Sequence, residues 1–63
     1  MFTIHNILEE KDIFTGNERE TIEFVKVIKL ENEDSDFSIL GISDTIEYID
    51  NYCDNLTIIK PLN

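Results

Sequence analysis

Cys53 is the only cysteine and His5 the only histidine in this chain of 63 residues, so neither an internal disulfide nor a Cys/His zinc site can hold the fold together. A chain this short buries only about 60% of the surface its unfolded form exposes, leaving a thin margin between hydrophobic gain and conformational entropy. Stability must therefore come from side-chain packing or from association. One core, and so a single domain over residues 1–63, is the expectation. The material for a core is present: 41% of the chain is hydrophobic and eleven residues are isoleucine, which outweighs the high charge as a sign of order. A lone thiol suits a reducing compartment. No run approaches the ~18 apolar residues that span a bilayer, and the N-terminus lacks a signal-like segment. A soluble, cytoplasmic protein with no membrane contact is the expected setting.

Residues 21–30, TIEFVKVIKL, are dominated by β-branched and aromatic side chains with no Gly or Pro, and read as a strand. Ile22, Phe24, Ile28 and Leu30 then share one face, interrupted by Lys26, with Val25 and Val27 opposite. Residues 31–36, ENEDSD, are turn-forming and lead into a second strand at 37–42, FSILGI, giving an antiparallel hairpin with an anionic tip. Asp44, with Glu47 three residues on, resembles a capping box that opens a helix. Ile46, Ile49 and Cys53 fall on its apolar stripe, and Asp44, Glu47, Asp50 and Asp54 lie roughly opposite. Asp54-Asn55 ends it, and residues 56–60, LTIIK, form a last strand bounded by Pro61. The N-terminal segment reads as a strand in preference to a short helix over 7–14. The expected fold is α+β: a small, mostly antiparallel sheet of three to four strands with one helix on a face, in the order β-β-β-α-β.

Fourteen acids against five bases give a net charge of −9. Such a field repels nucleic acid and anionic lipid and attracts basic protein surfaces, so direct nucleic-acid binding is disfavoured. Catalysis finds little to build on. His5 has no nucleophile or base beside it in sequence, and Cys53 sits on the apolar stripe as packing. Paired carboxylates are too abundant to be informative. Asn32, Asp34 and Asp36 mimic the start of a calcium loop, but its sixth position is Phe37 where glycine is needed, and its twelfth is Ser43 where a bidentate Glu is needed. No enzyme activity, cofactor or metal is expected.

What remains is the anionic surface. The loop residues Glu31, Glu33, Asp34 and Asp36 and the helix row Asp44, Glu47, Asp50 and Asp54 are the candidate partner-binding residues, with Tyr48 and Tyr52, one turn apart, as aromatic anchors beside the carboxylates. Regularly spaced carboxylates on a helix could occupy a basic cleft built for phosphates. In length and charge the chain is similar to phage-encoded inhibitors of defence or repair enzymes, among them anti-CRISPR proteins and uracil-DNA glycosylase inhibitors. No motif of either family aligns here, so the likeness assigns no residue a role. It implies a small nucleic-acid mimic that blocks the basic cleft of a host nucleic-acid-binding or defence enzyme, acting in the host cytoplasm. The alternative is a non-enzymatic interaction or regulatory module, antitoxin-like or homodimeric, that pairs through a sheet edge or through an apolar face containing Val25 and Val27.

Overall fold

A computed structural model describes residues 1–32 and 37–62. Phe2–Asn6 (β1) and Lys11–Gly16 (β2) form an antiparallel hairpin, Glu18–Glu31 (α1) and Ile42–Tyr52 (α2) follow, and Leu56–Ile59 (β3) completes the sheet. The strand order is β2-β1-β3, so the first strand is central and antiparallel to both neighbours. Helix α1 packs on β2 and on α2, and α2 packs on β3. The α+β class and the antiparallel sheet are as the sequence predicts.

Alternation along β1 sends Phe2 and Ile4 toward the helices, where they join Ile58, Val25, Ile39, Tyr48 and Ile49 in the buried core. Ile4 pairs with Phe14, but His5 pairs with Asp12, so Ile13 is a bulge residue without a partner. That extra residue lets β2 aim Phe14 inward while Asp12 meets His5 on the uncovered face. The turn between β1 and β2 is fastened by Asn6, whose Oδ1 accepts the Glu9 N–H at 2.9 Å. Glu10 enters β2 with φ 56°, the left-handed region that costs a side-chain-bearing residue energy.

Residues 21–30 are helical, which corrects the predicted strand. Asn17 caps α1: its Oδ1 accepts the Glu20 N–H at 2.8 Å, and the Glu20 carboxylate accepts the Asn17 N–H at 2.9 Å. At a helical period Thr21 and Val25 are buried and Ile22, Phe24 and Ile28 half-buried, while Glu23, Lys26, Val27 and Leu30 face water. Lys26, out of place on a strand face, is in place on the outside of a helix. Phe24 stacks on Phe14 with centroids 4.5 Å apart, fastening α1 to the hairpin.

Residues 37–40 carry no regular hydrogen bonding and Ile42 opens α2, so the second predicted hairpin strand is also corrected, and the element order is β-β-α-α-β. The sequence reading stands for α2 and β3, with α2 beginning three residues earlier than predicted. Gly41 occupies its N-cap, and Asp44, within the first turn, accepts the Leu40 N–H at 2.8 Å. Both helices bury a threonine one turn in. The Thr21 hydroxyl donates to the Asn17 carbonyl at 2.7 Å and that of Thr45 to the Gly41 carbonyl at 3.0 Å. Each satisfies a polar group within the core that would otherwise be costly.

Candidate protein-binding surface

The carboxylates of α2 and the turn after it stand as follows. Glu47, Asp50 and Asp54 are exposed, and Asp44 is half-buried with its Oδ2 committed to the Leu40 N–H. Among the described residues Lys11 is paired with Glu9 at 3.2 Å and His5 is hydrogen-bonded to Asp12 at 2.8 Å, and no base neutralises Glu47, Asp50 or Asp54. From Ile42 to Asn55 there is no lysine or arginine in the sequence. Glu47 and Asp50 are separated by about 4.5 Å along the helix axis, and both lie away from buried Thr45 and Ile49.

The two helices differ in how charge meets backbone. Helix α1 has Glu18 and Glu20 in its first turn and Lys29 in its last, each opposite in sign to the helix end it occupies. Helix α2 has Asp44 in its first turn but no base in its last, and Asp50 lies near that negative end. Carboxylates there work against the helix dipole, at about 0.3–1 kcal/mol each.

Tyr48 is fully buried, which corrects its reading as a surface anchor. Phe37, from the segment ahead of α2, lies 5.6 Å from its ring and helps close it off. Tyr52 remains 53% exposed, stacked on Tyr48 at 5.3 Å and tilted against Phe37 at 5.1 Å, so it is an aromatic held by two other rings and still half in water. Glu31 is exposed at the end of α1. Glu33, Asp34 and Asp36 lie outside the described residues, and the predicted hairpin tip falls with them. Val25 is wholly buried and Val27 54% exposed, so the paired apolar face expected of a strand does not exist.

A feature absent from the sequence reading is a shallow groove of about 370 Å³ lined by Lys26, Lys29 and Leu30 of α1 and by Phe37, Ile39 and Leu40. Leu30 and Leu40 are 76% and 89% exposed. A helical period over residues 21–30 gathers Lys26, Lys29 and Leu30, at i, i+3 and i+4, on one side of the helix; a strand period puts Lys29 on the face opposite the other two. His5 lies away from this groove, on the sheet face opposite the helices, where its Nδ1–H donates to Asp12 Oδ1. Among the described residues no three His, Cys, Asp or Glu side chains converge as a metal site, and no helix is long and apolar enough to cross a membrane.

No protein-family model matches the chain, and no curated protein or solved structure is significantly similar to it.

Proposed function

We propose that this protein is a non-enzymatic binding module that presents the outer face of α2 to a basic protein surface, as an acidic inhibitor occupying a cleft that otherwise receives nucleic acid. The observation that carries this reading is the electrostatic cost accepted by α2. A helix selected only for stability would place a base in its last turn, as α1 does with Lys29. Helix α2 keeps Glu47 and Asp50 unpaired among the described residues and has no base in that turn. Such an arrangement is worth keeping where a cationic partner supplies the missing charge. Tyr52, half-exposed beside these carboxylates, gives the face an aromatic contact of the kind enriched in protein interfaces. An overall charge of −9 steers the approach to a positive cleft and speeds association at low ionic strength.

The test is capture of partners from a lysate of the source cells by the wild-type chain and by a Glu47→Lys/Asp50→Lys/Asp54→Lys variant, with elution by salt and by duplex DNA. The expected result is a basic nucleic-acid-binding protein that the variant does not retain and that duplex DNA displaces. If the two chains retain the same proteins, the reading is wrong.

A further inference from the structure

We infer that the groove between α1 and the segment ahead of α2 is a second docking surface, and that its occupant is an apolar segment of a partner protein flanked by carboxylates. Leu30, Phe37, Ile39 and Leu40 give an apolar floor, and Lys26 and Lys29 line it from α1. Lysine stems lie along apolar surface while the ammonium groups stay in water, so such a groove has a greasy floor and a cationic rim. Two of the five bases in a chain with fourteen acids thus meet at one apolar site. Among the described residues neither is ion-paired.

The chemistry of the occupant follows from that pairing of properties. Apolar anchors would cover Leu30 and Leu40, which stand largely in water, and carboxylates beside them would meet the two ammonium groups, with charge fixing register. A basic segment would be repelled at the rim. Nucleic acid has no apolar side chains for the floor. A second copy of this chain is the competing occupant, and the sedimentation measurement below separates it from a partner segment. This surface adjoins the α2 face through Phe37, which packs on Tyr48 and Tyr52, and its preference for charge is opposite.

The experiment is selection of random dodecapeptides displayed on phage against the folded protein, followed by affinity measurements on the enriched peptides. The expected winners combine leucine or aromatic residues with aspartate or glutamate. Their affinity should fall about tenfold or more, a difference readily resolved, in Lys26→Glu/Lys29→Glu and in Leu30→Ser/Leu40→Ser. The affected side chains project to the surface, and circular dichroism establishes that each variant is folded. Winners that are basic, or indifferent to the groove substitutions, overturn the proposal. So does a dimer in sedimentation that Leu30→Ser/Leu40→Ser abolishes, since the occupant would then be a second copy.

Discussion

Tyr48 and Tyr52 stack nearly parallel, 5.3 Å between centroids and 5° between planes, yet the first ring is wholly buried and the second half in water. One turn of helix thus carries the chain from core to surface through a continuous aromatic contact, and the two residues are expected to fail differently. Tyr48→Ala opens a large cavity and costs about 3–5 kcal/mol, comparable with the whole stability of a domain this size at roughly 0.05–0.15 kcal/mol per residue. The variant should be unfolded by circular dichroism at 25 °C. Tyr52→Ala should remain folded and lose affinity for a basic partner.

The Asn17–Glu20 reciprocal cap gives a second expectation. Asn17→Ala removes the acceptor for the Glu20 N–H at the start of α1 and should cost about 1 kcal/mol. Thermal unfolding would show this as a midpoint lower by about 4–8 °C.

The two glycines should respond in opposite directions. A Cβ on Gly16 would lie 2.7 Å from Phe14 Cζ and 3.1 Å from Glu20 Cβ, between the hairpin and the cap of α1, so Gly16→Ala should destabilise by about 1–3 kcal/mol as overpacking does. A Cβ on Gly41 meets nothing within 4 Å, and the backbone there is extended, at φ −163°. Gly41→Ser adds a capping hydroxyl where no side chain now caps, and should stabilise by a few tenths of a kcal/mol. Urea titrations of the two variants beside wild type would show midpoints moved to opposite sides.

Charge on α2 supplies a further contrast. Asp50→Lys replaces a carboxylate near the helix C-terminus with a base and relieves repulsion in a chain of charge −9. It should raise stability by about 0.5–1 kcal/mol at low salt, with the gain shrinking as salt is added, while partner binding weakens. A variant less stable than wild type would remove the argument that α2 retains this charge at a cost.

What could be read from the sequence was set by where local and tertiary forces agree. Helix α2 was legible because Ile46, Ile49 and Cys53 repeat at helical spacing, and β3 because residues 56–60 are short, β-branched and bounded by Pro61. Helix α1 was misread because Ile22, Val25, Val27 and Ile28 carry strand propensity, a weak local preference that tertiary packing overrides. The contrary signals were Lys26 on the supposed apolar face and the Asn17-to-Glu20 spacing of a capping box. The exposed acids of α2 were placed correctly on its outer side. Burial of Tyr48 was not legible, because Phe37 comes from a neighbouring segment in a conformation that no local pattern specifies.

The strand at the middle of the sheet is the earliest in the chain, and one of its two neighbours is the last: residue 4 pairs with 14 on one side and with 58 on the other. On the ribosome the hairpin can emerge and close ahead of the rest of the chain, but the sheet cannot be completed, nor α2 seated on β3, until residues 56–59 leave the exit tunnel. Until then Ile4 and its neighbours have no lid on one flank. A nascent chain stalled or cleaved ahead of β3 would expose that flank to whatever strand it meets first.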